Sequence, residues 1–236
     1  MKKSYTAYLG VQKKYGEFAP NIMLASFVVW IVVFACLLFP LFGFGLSFFF
    51  SCFLCVGFKK IVMESLKGGK PKIENVFDYY KQCISAFCLQ ACSLVLIAIW
   101  STAFVIPGVI MGLNYTFAPF LFADNPKWGA IKCLEKSKEL TLGLRGELFI
   151  LYLLQVLFLV LCAMFFCCLM IILNFMVQIP LWLHILIPLA STLFVYFVVI
   201  YPYFQMFVAN LYLSLFSVQK TKKTSTYAKS IEKVVD

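Results

Sequence analysis

Three long stretches of this 236-residue chain contain no charged residue, and this feature constrains the fold more than any motif. Residues 18–58, 82–123 and 148–219 lack Asp, Glu, Lys and Arg over 41, 42 and 72 positions. A membrane-spanning helix needs about 20 apolar residues, because each adds about 1.5 Å toward crossing a hydrocarbon layer of about 30 Å. The first two stretches are each long enough for two spans, and the third for two long spans or three short ones.

The composition is typical of a protein that exposes apolar surface to lipid. Hydrophobic residues make up 63% of the chain and charged residues 13%, whereas soluble domains contain about 45–50% and about 25%. The sequence therefore predicts an all-α, polytopic transmembrane helical bundle that forms a single integral membrane domain over residues 1–236. The formal net charge of +10 does not predict nucleic acid as a partner, because the basic residues flank apolar stretches.

The orientation is predicted from the basic residues, which fall in four segments. Residues 1–17 hold four Lys or Arg, 59–81 hold six, 124–147 hold five and 220–236 hold five. The positive-inside rule places short basic segments in the cytoplasm, so an even number of spans should separate neighbouring segments. We expect a multi-pass protein of the cytoplasmic membrane, in bacteria the inner membrane, with both termini cytoplasmic. Six spans are predicted near residues 21–39, 44–60, 83–106, 109–123, 148–173 and 184–205, with cytoplasmic segments at 1–17, 61–81, 124–147 and 219–236.

Two predicted spans should depart from straight helices. The fourth is short and contains Asn114 and Pro119, so we expect it to enter the membrane without crossing as one straight helix. The last apolar run covers residues 181–218, which is too long for one untilted span. Pro188 and Pro202 predict kinks in this run. Its final part should extend into the cytoplasmic interface.

Both central charged segments predict ordered interfacial helices. In the first, Gly68-Gly69 should end a helix, and Asn75 with Asp78 resembles a capping box at the next helix. In the second, Asp124-Asn125-Pro126 predicts a helix start, and Gly143 predicts its end. Such a helix should lie along the membrane surface and either bind anionic lipids or a partner, or serve only as a connector. Its expected inward face consists of Ala130, Leu134, Ser137, Thr141 and Leu144.

Several short motifs follow one another between residues 106 and 149. They are Ile106-Pro107-Gly108, Ala123-Asp124-Asn125-Pro126, Ser137-Lys138-Glu139-Leu140, Gly143 and Leu148-Phe149. With Tyr201-Pro202-Tyr203 and Asn210-Leu211-Tyr212, this series resembles an uncharacterised family of six-helix bacterial integral membrane proteins. It is also similar to the membrane domain attached to some glycerophosphodiester phosphodiesterases. The resemblance implies a six-helix bundle without an assigned activity, since the phosphodiesterase chemistry of those relatives belongs to a separate soluble domain.

The motif residues also have a physical interpretation that involves no chemistry. Pro107-Gly108 should turn the chain at the outer surface, and Gly108 with Gly112 should let a neighbouring helix approach closely. Asp124 or Asn125 should cap the surface helix that Gly143 ends. In this interpretation the motif residues have structural roles only, in turns, helix packing and helix ends.

Candidate chemical residues are few. The sequence contains no phosphate-binding loop, dinucleotide fingerprint or metalloprotease motif, and we predict no catalytic, cofactor-binding or metal-binding residue and no cofactor. Nine of the ten cysteines lie in predicted spans, where packing accounts for them better than a redox or metal pair. Asn114 and Asn210 are the candidates for lining a cavity, because both sit beside aromatic clusters. The alternative for both is hydrogen bonding between helices.

Three functions remain open at this point. The leading hypothesis is a non-enzymatic membrane protein that organises or assists other envelope components, through a membrane-protein partner or as a homo-oligomer. The second is a transporter or handler of lipids or small amphiphiles, suggested by the irregular fourth and sixth spans. The third is a membrane-embedded enzyme, for which the carboxylates near Asp124 form the only candidate cluster.

Overall fold

A computed structural model describes residues 2–37, 43–69, 71–176 and 180–215. Helices dominate these residues and no strand occurs among them, which confirms the predicted all-α class. The chain is a multi-pass membrane protein, because six helical stretches are long and apolar enough to span a bilayer. They are Ala19–Cys36, Gly45–Leu66, Ile73–Thr102, Val105–Asp124, Arg145–Asn174 and Leu183–Leu215. The predicted end of the first span at residue 39 and the predicted tail at 219–236 lie outside the described residues.

The helices are numbered here in chain order. They are α1 (Lys2–Leu37), α2 (Gly43–Leu66), α3 (Cys83–Ala103), α4 (Val105–Asn114), α5 (Ala118–Asp124), α6 (Ala130–Thr141), α7 (Arg145–Met176), α8 (Leu181–Val195) and α9 (201–215). Two short 3-10 helices, Ile73–Phe77 and Tyr80–Gln82, connect α2 to α3, and a π-helical turn, Tyr196–Ile200, connects α8 to α9.

The second span is longer than the sequence predicted. Instead of ending near residue 60, α2 continues to Leu66 and stops at Gly68, whose φ of +89° is a conformation that glycine adopts without strain. The backbone N–H of Gly69 then donates to the carbonyl oxygen of Glu64 at 3.0 Å, as in a Schellman motif. The predicted helix end at Gly68-Gly69 is confirmed, and Lys59 lies inside the helix.

The segment after α2 folds back against it, and the predicted capping box is wrong. Asn75 lies inside the first 3-10 helix, and its carbonyl oxygen accepts a hydrogen bond from the backbone N–H of Asp78 at 3.3 Å. The backbone of this segment packs so closely on α2 that a Cβ atom at Gly57 would lie 1.9 Å from the carbonyl oxygen of Val76. Burial of Val76 therefore fixes the segment, without a side-chain cap.

The fourth span is broken, as predicted. Its first part, α4, ends at Asn114, and its second part, α5, begins at Ala118 with proline at the second position. The predicted turn at Pro107-Gly108 is wrong, because both residues lie inside α4 and the chain turns at Phe104, which is fully extended. Gly108 packs one turn later against Ser101 of α3. A Cβ at Gly108 would lie 2.1 Å from the Ser101 hydroxyl, whereas a Cβ at Gly112 would have no neighbour within 4 Å. The predicted close-approach role is thus wrong for Gly112.

Helix α6 begins later than predicted, and most of its predicted inward face is buried. Asp124 is the last residue of α5 and Asn125 follows it as the C-cap, so neither residue starts α6. Pro126 lies in the turn that follows, and the N-cap of α6 is Gly129. Leu134, Ser137 and Thr141 are buried, whereas Ala130 is half-buried. Leu144 is buried too but lies beyond the helix, which ends before Gly143 with its φ of +86°.

The last span departs from regular α-helix just before Pro202, whereas α8 continues through Pro188. Pro188 lies inside α8, and the π-helical turn comes directly before Pro202. Proline lacks an N–H and its ring collides with a carbonyl one turn earlier, so a wider turn relieves the clash. The backbone N–H of Tyr201 accordingly donates to the carbonyl oxygen of Tyr196, five residues earlier. Most residues of helix α9 are buried within the bundle, and the extension of its final part into the cytoplasmic interface stays a prediction.

The packed core lies toward one end of the bundle. Buried residues come mainly from α2, α5, α6 and α9, whereas only 6% of the apolar window of α7 is buried, against 61% for α2. Lys67 of the α2–α3 loop and Tyr212 of α9 both contact Asp124. We call this side, which carries segments 59–81 and 124–147, the charged end.

Candidate functional site

The side chain of Asn114 lies at the break between α4 and α5 and is only 2% exposed. Its Oδ1 atom accepts a hydrogen bond from the Nε of Arg145 at 2.9 Å and lies 3.3 Å from the hydroxyl of Thr141. Its Nδ2 atom donates to the sulfur of Met111 at 3.4 Å. Asn114 thus joins α4 to the end of α6 and to the first residue of α7.

Ser137 of α6 satisfies the backbone groups that the same break leaves without helical partners. Its hydroxyl donates to the carbonyl oxygen of Asn114 at 2.6 Å and accepts from the backbone N–H of Phe117 at 3.2 Å. An unpaired buried backbone group costs about 1–3 kcal/mol, so a small hydroxyl residue fits this position. The Ser137 motif position therefore has a structural role in docking α6.

Asp124 joins three parts of the charged end. Its Oδ2 atom accepts a hydrogen bond from the Tyr212 hydroxyl at 2.9 Å, and its Oδ1 atom lies 3.2 Å from the ammonium of Lys67. The hydroxyl of Tyr79 donates to the neighbouring carbonyl oxygen of Ala123 at 2.7 Å. These bonds hold the end of α5 against α9 and the α2–α3 connection, which explains why α5 continues to Asp124.

Lys59 is a buried cation that the sequence interpretation missed. Only 7% of the residue is exposed, its ammonium donates to Oε1 of the buried Gln205, and it lies 4.5 Å from the ring centroid of Phe120. No carboxylate of the described residues pairs with it. One signal of it in the sequence is Gln205, because a side-chain amide in an apolar run needs a polar partner when it is buried.

A small closed cavity lies one helical turn from Lys59, between α1, α2 and the start of α9. It has a volume of about 30 Å³, and its polar lining comes from Ser26, Ser51, Cys55 and Tyr201. The Cys55 sulfur lies 3.7 Å from the Tyr201 hydroxyl. A site of this size and polarity can hold one water molecule.

Within the described residues, larger open grooves on the surface of the bundle include the following three. The α1–α8 groove, of about 630 Å³, is lined by apolar and aromatic residues, among them Trp30 and Phe197. The α4–α7 groove, of about 450 Å³, has Tyr152 as its polar side chain. The α3–α6 groove, of about 520 Å³, is lined by Ala91, Cys92, Val95, Leu96, Tyr115, Ile131, Leu134, Glu135 and Lys138.

The α3–α6 groove differs from the other two because charged residues form part of its wall. On α6, Lys136 is paired with Glu139, and the ammonium of Lys132 lies 4.8 Å from the ring centroid of Trp128. Glu135 and Lys138 line the groove, are exposed, and form no ion pair within the described part of the chain. The groove therefore combines an apolar floor with one carboxylate and one ammonium that are free to bind a ligand.

The remaining sequence candidates lie apart from this groove. Asn114 is buried next to Tyr115, whose side chain lines the groove, but Asn114 itself lines none of the three grooves. Asn210 is half-buried on α9. Within the described residues no group of His, Cys, Asp and Glu side chains is arranged to hold a metal ion. Burial raises the pKa of the Cys133 thiol on α6 to about 11, with a smaller opposing effect of Lys132.

Comparisons with protein-family models, curated proteins and solved structures gave no match. The resemblance of the motif series to a bacterial membrane protein family stays a prediction.

Proposed function

We propose that this membrane protein binds a membrane lipid or a small amphiphile in the α3–α6 groove, and that it acts without catalysing a reaction. The observation that carries the proposal is the pairing, in one groove, of an apolar floor with the unpaired charges of Glu135 and Lys138. An amphiphile has the same two parts, an apolar chain and a polar head. Of the two leading functions expected from the sequence, this geometry favours lipid handling.

The size and lining of the groove support this proposal. Its volume of about 520 Å³ lies within the range of about 300–1,000 Å³ typical of small-molecule sites. The floor is formed by α3 residues such as Cys92 and Val95, and α6 supplies the charged wall. An amphipathic helix of this kind is stable where hydrocarbon meets water, which is also where a lipid changes from chain to headgroup.

We further propose that the charged end faces the cytoplasm, that both termini lie there, and that the membrane is the cytoplasmic membrane. The Lys67–Asp124 ion pair and the Tyr212–Asp124 hydrogen bond join the α2–α3 loop, the end of α5 and the end of α9. These contacts support the placement of both central basic segments on one side of the bilayer, and short basic segments favour the cytoplasmic side.

A tryptophan substitution in the groove tests the proposed function. Val95→Trp should fill the floor with a large side chain, and we expect about a tenfold loss of bound lipid, equivalent to about 1.4 kcal/mol. The matched control is Leu94→Trp, which places the same bulk on α3 at a position outside the groove. Native mass spectrometry of the detergent-purified protein would count the bound lipids. Equal lipid occupancy in Val95→Trp and the wild type would contradict the proposal.

A second function is favoured by one observation on α7. Only 6% of its apolar window is buried within the chain, so most of this helix faces lipid or another protein. We propose as the alternative that α7 contacts a membrane-protein partner or a second copy, in a protein that organises envelope components. Cross-linking from Leu157, which is 51% exposed, should then give a discrete dimer or hetero-complex in membranes. Cross-links to lipid alone would remove this alternative.

A further inference from the structure

The two unpaired charges of the α3–α6 groove have opposite sign and a defined spacing. Glu135 and Lys138 are three residues apart on α6, so their side chains leave the helix on neighbouring paths. They do not form an ion pair with each other, although i,i+3 pairs of opposite charge can do so, as Lys136 and Glu139 do. The groove wall therefore presents separate positive and negative groups to a ligand.

We propose that the occupant of this groove is an aminophospholipid of the bilayer, with its phosphate on Lys138 and its primary ammonium on Glu135. The inference rests on the proposed function and names the lipid class. An acyl chain would lie along Cys92, Val95 and Leu96 on the floor of the groove. The headgroup would then satisfy both exposed charges at once.

Charge matching separates this class from anionic phospholipids. Glu135 and Lys138 together carry no net charge, which matches a zwitterionic headgroup. An anionic headgroup on Lys138 would leave the Glu135 carboxylate beside a negative charge, and like charges at this range repel. The acidic residue in the wall therefore acts against a lipid such as phosphatidylglycerol.

Hydrogen bonding separates the class from choline lipids. A primary ammonium has three N–H groups and forms charge-assisted hydrogen bonds to a carboxylate. A quaternary ammonium has none, and proteins usually bind it in a cage of aromatic rings. The groove has one aromatic side chain, Tyr115, so it lacks such a cage. Phosphatidylethanolamine should consequently bind more tightly than phosphatidylcholine.

Native mass spectrometry with added lipid tests the inference. The purified protein is mixed with phosphatidylethanolamine, phosphatidylcholine or phosphatidylglycerol of identical acyl chains, and bound copies are counted. We expect the wild type to prefer phosphatidylethanolamine by about three- to tenfold, the range of one exposed charge-assisted contact. Glu135→Gln should abolish the preference for phosphatidylethanolamine. Lys138→Gln should weaken the binding of all three lipids. Glu139→Gln is the matched control, because Glu139 pairs with Lys136 and does not line the groove.

Charge reversal gives a second and independent arm. Glu135→Lys should shift the preference to phosphatidylglycerol, because the wall then carries two positive charges. Equal binding of the three lipids by the wild type, or a preference that Glu135→Gln leaves intact, would overturn the inference. If the headgroup preference fails but Val95→Trp no longer binds any of the three lipids, the proposed function, lipid binding in the α3–α6 groove, still holds. Lipid binding that is unchanged in Val95→Trp would overturn both.

Discussion

The contact between Lys59 and Gln205 gives a prediction whose magnitude follows from the structure. The Lys59 ammonium is buried, with one amide oxygen and the face of Phe120 as its partners. Gln205→Leu removes the oxygen and leaves the cation. A hydrogen bond to a charged group contributes about 1.5–3 kcal/mol, and the remaining cation–π contact contributes up to about 2 kcal/mol. We expect Gln205→Leu to lower the free energy of unfolding by about 2–3 kcal/mol.

Removing the Lys59 charge should lower the free energy of unfolding less than removing its partner Gln205. Lys59→Met keeps an unbranched side chain and eliminates the cost of holding a cation in an apolar interior. The Gln205 amide would lose its partner, at a cost of about 1–3 kcal/mol. The double variant Lys59→Met/Gln205→Leu replaces both polar groups with apolar ones, so its stability should lie within about 1 kcal/mol of the wild type.

A double-mutant cycle in detergent provides the assay. The free energy of unfolding of the wild type, both single variants and the double variant would be measured by denaturant titration, with helical content as the signal. We expect the double variant to be more stable than Gln205→Leu, which gives a coupling energy of about 2 kcal/mol or more. If Gln205→Leu is as stable as the wild type, or if the two single effects simply add, Lys59 is not held in the way described.

Three further predictions concern other contacts. Gly57→Ala should destabilise the protein by about 3 kcal/mol or more, because the new Cβ would lie 1.9 Å from a carbonyl oxygen of the 3-10 segment. The control is Gly112→Ala, whose Cβ would have no neighbour within 4 Å and which should leave the melting temperature unchanged or raise it. Asn114→Asp should keep the hydrogen bond to Arg145 and leave the free energy of unfolding near that of the wild type. Asn114→Leu should lower the free energy of unfolding by about 2–3 kcal/mol in the same assay. Equal decreases for the two variants would contradict the assigned hydrogen bond. Because Cys133 is fully buried and burial raises the pKa of its thiol to about 11, peptide mapping at pH 8 should show alkylation of Cys133 that is slow in the folded protein and fast after denaturation. Equal rates in the folded and the denatured protein would contradict this burial.

The span pattern could be predicted because it depends on local composition. A bilayer cannot hydrogen-bond to backbone or charged groups, so apolar length alone identifies a spanning helix. Most of the inward face of α6 could be predicted too, since Leu134, Ser137 and Thr141 lie at spacings of three and four. The break at Asn114 was signalled by a polar residue and a nearby proline in a short apolar run. Each of these features is encoded within a few residues of the place where it acts.

The sites that join distant parts of the chain could not be predicted in this way. Lys59 follows an apolar run and begins a basic segment, and its partner Gln205 lies 146 positions away, so nothing near it in the sequence indicates that its side chain is buried. Asp124 resembles a helix cap because Asn125 and Pro126 follow it, yet its contacts come from Tyr212 of α9 and Lys67 of the α2–α3 loop. The α3–α6 groove likewise exists only after α6 packs on α3.

Labelling of single introduced cysteines tests the orientation on which the proposed function depends. Lys72→Cys, Lys138→Cys and Phe104→Cys place thiols in the α2–α3 connection, on the groove wall, and at the turn between α3 and α4, and all three positions are exposed. The wild type, labelled in parallel, sets the background from native cysteines. With a membrane-impermeant maleimide on intact cells, we expect labelling at position 104 alone, and labelling at positions 72 and 138 only after permeabilisation. Labelling of positions 72 and 138 from opposite sides of the membrane would contradict the account.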